Sequence, residues 1–296
     1  MMTFLWETNF FLYMFSTSLD SLILKRTSWR TFEETPISSP LQDKLKEMFE
    51  CKNITSPFGG NCRFSWFDMT DVAGSEKKQY GTYGMIKGAQ HFILSTISES
   101  KYSWENCGYL LEYIILAATE MKLGTCWLGG TFNKSNFAQQ LTLKENEIIP
   151  AIVPIGLPKK RRIKENIIRK AIKAKKRLDW NKLFFLNDAT TPLVTETREE
   201  YKQALENVRL GPSASNKQPW RIVKDEKLDL FHFYILNEDS KMAKAYQKMR
   251  KLDIGIAVCH FDLTMQERSV SGHWLFNNPE IPSTREWKYT ISWKAE

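Results

Sequence analysis

Gly211-Pro212-Ser213-Ala214-Ser215-Asn216-Lys217-Gln218-Pro219-Trp220 gathers two prolines, a glycine and a run of small hydroxyl, methyl and amide side chains. It lies between a stretch patterned as a helix, Glu196–Val208, and one patterned as a strand, Arg221–Val223. Side chains this small let a flat ligand lie against the backbone, while Ser213, Ser215 and Asn216 offer donors and acceptors along its edge. The composition alone is that of a turn, and it is the order of the residues that sets the loop apart. Beyond it, Leu228–Leu236 reads as a second strand, Ser240–Met249 and Leu252–Met265 as two helices, and Trp287–Trp293 as a closing strand.

Near the start of the chain a short helix, Ser18–Lys25, runs into Arg26-Thr27-Ser28-Trp29-Arg30. Alternate side chains of an extended segment share a face, so Arg26, Ser28 and Arg30 converge and suit one anion such as a phosphate. A helix C-terminus that favours cations through its dipole is the plainer explanation of the same residues. The pattern then predicts a helix at Leu41–Phe49, a strand at Arg63–Met69 and another around Gln90–Leu94. A long apolar helix, Gly108–Met121, closes at Lys122-Leu123-Gly124, where the glycine suits a left-handed cap. Cys126–Gly130 reads as a tight loop, Ser135–Leu141 as a helix and Ile149–Gly156 as a buried strand.

This order of elements recurs in the second half. Pro57-x-x-x-Asn61 matches Pro212-x-x-x-Asn216, Leu111-Glu112 matches Leu252-Asp253, and Thr125-Cys126-Trp127 matches Gly272-His273-Trp274. The offsets of 155, 141 and 147 residues describe a drifting internal duplication.

With 296 residues, 42% of them apolar and 26% charged, the chain can bury one or two cores, and intrinsic disorder is excluded. Five cysteines (Cys51, Cys62, Cys107, Cys126, Cys259) without a Cys-x-x-Cys argue against a disulfide framework or a zinc knuckle, and for reduced thiols in the cytoplasm. The apolar run Phe10–Phe15 is far short of the roughly 20 residues of a membrane span, and no cation precedes it as one would in a secretory signal. Residues 1–17 read as a loose apolar tail or the product of a mis-assigned start codon.

The net charge of +8 sits in one place, since Lys159–Arg177 carries eleven Lys or Arg and one Glu, and the remainder of the chain is faintly acidic. Ile163, Ile167, Ile168, Ala171, Ile172 and Leu178 recur at helical spacing there, which predicts an amphipathic helix with a cationic outer face. A solvated linker is its plainer reading, and contact with a polyanion or a membrane surface is the other. The domain plan is then a tail (1–17), a first half (18–158), a basic linker helix (159–178) and a second half (179–296). Cys259-His260 and the tryptophans Trp127, Trp220 and Trp274 are expected to be packing residues.

The stretch Arg26–Phe32 resembles the Arg-x-Ser-x-Arg/Lys entry motif of the FMN-dependent nitroreductases. The loop from Gly211 to Val223 resembles their Pro-Ser-[Ser/Ala]-x-Asn-x-Gln-Pro-Trp motif, and Gly124–Gly130 and Pro150–Pro158 resemble two further landmarks. In the usual family the two motifs lie a few tens of residues apart and two chains share each flavin, whereas here about 185 residues separate them. That order is similar to the branch called putative TM nitroreductases, in which two nitroreductase-like halves are fused. The resemblance implies an α+β nitroreductase-like fold, with mixed β-sheets surrounded by helices in two pseudo-repeated halves. Pro57-Phe58-Gly59-Gly60-Asn61 lacks the Ser-Ala character of its counterpart, and the second half has no Arg-x-Ser-x-Arg. One composite FMN site per chain is therefore implied, with a monomer standing in for the family dimer.

Carried over by position, Arg26 and Ser28 would hold the FMN phosphate and Arg30 the N1/O2 edge of the ring, where a cation stabilises reduced flavin. Pro212, Ser213, Ala214 and Asn216 would cover or flank the ring, Leu128 and Gly129 would present backbone near N5, and Lys160 and Arg162 would add phosphate contacts. The implied reaction brings hydride from NADH or NADPH to N5 and passes electrons to a small electron-poor acceptor such as a nitroaromatic or quinone. The cofactor carries that chemistry, so no protein acid, nucleophile or metal is expected, and nucleic acid is not the expected partner. The alternative is a degenerate or flavin-binding, non-catalytic module whose basic helix docks a polyanion.

Overall fold

The structure, a computed structural model of the chain, describes residues 15–49, 54–74, 76–194, 197–236, 241–281 and 287–296. Most of the expected N-terminal tail, and Cys51, lie outside the described residues. Two compact units make up the chain: Leu24–Ala174, and Lys175–Glu296 together with the described residues up to Ile23. Helix α1 (Leu19–Lys25) straddles the boundary.

In the Leu24–Ala174 unit follow α2 (Ser39–Phe49), β1 (Cys62–Asp68), β2 (His91–Ser98), α3 (Ser103–Glu120), β3 (Gly124–Thr125), α4 (Lys134–Gln139), β4 (Glu147–Ile148), β5 (Ile152–Gly156) and α5 (Ile163–Ala171). The sheet runs β1-β2-β5-β3, antiparallel throughout, with β4 also on β2. β2 is buried on both faces, because a strand's side chains alternate and each face finds apolar cover. Phe92 and Leu94 join Phe67, Leu128, Phe137 and Ile152 in one cluster, while Ile93 and Ile97 are as fully enclosed on the other side.

The Lys175–Glu296 unit contains β6 (Phe184–Leu186), α6 (Glu199–Leu210), β7 (Trp220–Asp225), β8 (Leu230–Leu236), α7 (Lys241–Glu267), β9 (Gly272–Leu275) and β10 (Trp287–Ala295). Its sheet runs β6-β7-β8-β10-β9, with β6 parallel to β7 and every other pair antiparallel. The path β7-β8-β10-β9 repeats β1-β2-β5-β3 strand for strand, and α7 occupies the place of α3 in the chain order. The architecture is α+β in two pseudo-repeated halves.

Four sequence expectations need correction. The two helices expected between Ser240 and Met265 are one, Lys241–Glu267. Arg250-Lys251 interrupts the apolar pattern without interrupting the helix, because both are good helix formers. The left-handed residue after α3 is Lys122 (φ 61), whereas Gly124 opens β3, where an added Cβ would sit 3.0 Å from the Trp29 ring. Leu19, Leu22 and Ile23 are buried with the Lys175–Glu296 unit, so the boundary at residue 18 is displaced. The Leu19 N–H donates to Glu267 Oε1 at 2.7 Å, and the Asp20 carboxylate accepts from Asn207 Nδ2 at 2.8 Å and Arg268 Nη2 at 2.7 Å. The helix expected over 159–178 is confined to Ile163–Ala171.

Candidate functional site

Past the end of α1 the chain runs extended from Arg26 to Phe32, tied on both sides. Trp29 N–H donates to Thr125 O at 2.8 Å, Phe32 N–H to Lys87 O at 2.9 Å, and Lys159 N–H to Thr31 O at 3.0 Å. These ties fix the side chains of a buried, arginine-rich cluster. Arg26 Nε lies 3.6 Å from Glu112 Oε1, a carboxylate with no exposed surface that also accepts from Trp127 Nε1 at 2.7 Å. Arg30 is 8% exposed, and its Nε and Nη1 find no acceptor among the described residues. Buried guanidinium donors are costly to leave unpaired, and an anion is the kind of group that would satisfy them.

The basic segment feeds the same cluster, in a way its apolar pattern concealed. Glu165 of α5 is fully buried and accepts from Arg161 Nε at 3.0 Å and from the Thr31 hydroxyl at 2.9 Å. Arg162 Nε donates to Thr31 Oγ1 and its Nη2 to Arg30 O, while Arg169 Nη1 donates to Thr27 Oγ1 and Ser28 O. Burial first, and then the neighbouring Arg161, pull the Arg169 guanidinium below its ordinary pKa. The Arg161 guanidinium lies 3.8 Å over the Trp29 ring. Arg162 is thus drawn into the cluster, whereas Lys160 is exposed. Arg161, Glu165 and Arg169, at steps of four residues on one face of the helix, were the signal for a polar inner face that the isoleucine spacing hid.

Leu128 and Gly129 lie on the loop after β3. The N–H and C=O of Leu128 both pair with Ile152, at 3.0 and 2.9 Å, so this residue's backbone is engaged by its own sheet. Cys126 is buried and borders Ser28, and burial pushes its thiol above the ordinary value against the opposing pull of Arg30. Trp127 and Trp274 each donate an indole N–H to a carboxylate, Glu112 and Asp262 respectively, both at 2.7 Å. Trp220 is fully buried, as are Cys259 and His260.

The loop Gly211–Trp220 belongs to the other unit, so the expected ligands fall into two groups. Ser215, Asn216 and Gln218 take left-handed backbone conformations, and short hydrogen bonds hold the turn. Asn216 N–H donates to Ser213 O at 2.9 Å, Gln218 N–H to Ser213 Oγ at 2.8 Å, and Ala214 N–H to Asp253 Oδ1 at 2.9 Å. The Asn216 side chain donates to Lys176 O at 2.9 Å and accepts from Arg177 Nη1 at 3.3 Å. Gln218 Oε1 accepts from Leu178 N–H at 2.8 Å. Gln218 and Asp253 are therefore the framework of this loop, which reading the loop's composition missed because one is a long amide and the other lies 39 residues away in α7. Pro212, Ser213 and Ala214 stay partly exposed.

The chain matches the family described as Putative TM nitroreductase over residues 18–265. Comparison with curated proteins gives no match. A solved structure of a putative nitroreductase from Thermotoga maritima MSB8 superposes with a TM-score of 0.58 at 17% identity, covering 95% of this chain and 94% of that one. A nitroreductase family protein from Clostridium difficile 630 is 16% identical, with a TM-score of 0.39, and covers 49% of this chain and 86% of its own. A putative nitroreductase in complex with FMN from Desulfovibrio desulfuricans is 21% identical, with a TM-score of 0.39 and coverages of 51% and 96%. The likeness to the Thermotoga protein is one of fold.

Proposed function

The chain belongs to the Putative TM nitroreductase family, and from that premise we propose that it is an FMN-dependent oxidoreductase that takes electrons from NADH or NADPH and passes them to a small electron-poor acceptor such as a nitroaromatic or quinone. The observation that carries this reading is the buried arginine cluster with unsatisfied donors on Arg30 and Arg26. Glu112 balances Arg26 and Glu165 balances Arg161, which leaves Arg30, Arg162 and Arg169 without a carboxylate partner among the described residues. A phosphate dianion fits Arg162 and Arg169, whose guanidinium forks match its oxygens, and the N1/O2 edge of the ring, negative in reduced flavin, fits the unsatisfied donors of Arg30.

Arg26 and Ser28 hold the phosphate in this reading, assisted by Arg162 and by Arg169, and Arg30 faces the N1/O2 edge of the ring. Lys160, exposed in the folded chain, contributes long-range charge alone. Pro212, Ser213, Ala214 and Asn216 flank the ring, with Asp253 and Gln218 setting their backbone, and Gly129 lies by N5. When bound, FMN supplies the two-electron chemistry, and the chain's residues bind and orient it.

The test is the visible spectrum of the purified chain reconstituted with FMN, followed anaerobically on adding NADPH or NADH and then a nitroaromatic or quinone. Bleaching and recovery are expected. Arg30→Gln and Asn216→Ala are each expected to weaken FMN at least about tenfold in fluorescence titration. A chain that retains no FMN sinks the proposal, and unchanged affinity in both variants sinks the assignment of these residues.

A further inference from the structure

The segment Lys159–Arg177 sorts its cations by type. Its four arginines all donate hydrogen bonds to the protein, whereas all seven of its lysines are exposed. α5 sorts its other side chains against expectation. Glu165 is fully buried, while Ile163 and Ile167, one helical turn apart, are 80% and 62% exposed. Lys164 Nζ of the same helix reaches Gly84, beside Tyr83, which sits in a left-handed turn (φ 49) with 70% of its surface exposed. Folding gains nothing from leaving two isoleucines in water on a helix whose inner face is already occupied by an ionic network.

We propose that this face of α5 is a docking surface for an anionic lipid bilayer, with Ile163 and Ile167 entering the boundary between headgroups and acyl chains and the lysines lying over acidic headgroups. An apolar ridge flanked by lysines is the composition of an interfacial helix. A nucleic-acid surface would turn its arginines outward, and here they point in. A second copy of the chain would bring one strongly basic face against another. With nine residues α5 lies on a bilayer and does not cross it. The proposal is independent of the flavin reading, and its test reads no flavin.

The experiment is flotation of the full chain with phosphatidylcholine vesicles, with and without phosphatidylglycerol, at low and high salt. Binding is expected only to the vesicles containing phosphatidylglycerol, and it weakens as salt rises. Lys164→Gln and Lys170→Gln each lower the partition coefficient about fivefold. The Ile163→Ser/Ile167→Ser double variant, whose circular dichroism should match the parent because both side chains are exposed, lowers it at least about tenfold. Absence of binding to anionic vesicles overturns the proposal. So does undiminished vesicle binding by the isoleucine variant, which would show bare charge attraction. Retention on RNA by a chain that ignores vesicles overturns it in favour of a nucleic-acid partner.

Discussion

At the scale of single residues, buried carboxylates organise the chain. Glu165 compensates Arg161 and fixes the Thr31 hydroxyl, so Glu165→Ala is expected to lower stability by about 2 kcal/mol, the cost of an orphaned charge reduced for the partial exposure of Arg161. Urea unfolding of the variant and its parent checks this. Asp253 is the more informative group. Burial pushes its carboxyl up to about 8, against the pull of the Ala214 N–H and Arg250. The folded chain therefore keeps this proton longer than the unfolded chain does, and stability falls as pH rises between about 4 and about 8, by about 1.4 kcal/mol per unit, before levelling off. Asp253→Asn retains an acceptor for Ala214 and removes the titration. Its urea midpoint is expected to gain on the parent's as pH is raised through that window, and a constant difference across it would disprove the assignment.

At the scale of elements, β3 and β9 show how a repeat survives when its letters do not. Each opens on a glycine backed by a tryptophan, Gly124 against Trp29 and Gly272 against Trp293. A Cβ on Gly272 would overlap the Trp293 ring and the Lys294 carbonyl, so Gly272→Ala is expected to cost at least about 2 kcal/mol. Gly124→Ala meets only a side chain at 3.0 Å and is expected to cost about 1 kcal/mol, the two being ranked by thermal unfolding. Gly272-His273-Trp274 was legible as a counterpart of Thr125-Cys126-Trp127, yet neither short strand could be read as one, because two to four residues carry too little alternation. α5 failed differently. Its isoleucines have helical spacing, and periodicity names a face without saying which side is buried.

At the scale of the whole molecule, the family match and the repeated strand order describe a duplicated chain, and α1 belongs to both units. Asp20 ties α1 to the later elements through Asn207 on α6 and through Arg268 just beyond α7, beside the Leu19 N–H bond to Glu267. Asp20→Ala is expected to lower the melting temperature by about 3 °C, roughly 1 kcal/mol for a chain of this size, as calorimetry would show. An unchanged melting temperature would mean that the Asp20 contacts contribute little to stability.

The sequence by itself determined the α+β class, the duplication and the two loops that carry the candidate flavin contacts. Those features rest on local backbone requirements and on motif order, which neighbouring residues encode. Only the tertiary structure decided that Glu112 and Glu165 are buried counter-ions, that Asp253 and Gln218 frame the loop at Ser213, and that Ile163 and Ile167 face water. Each of these depends on which charged group lies opposite in space, across separations as long as the 134 residues between Thr31 and Glu165, and no periodicity within a segment reports its partner.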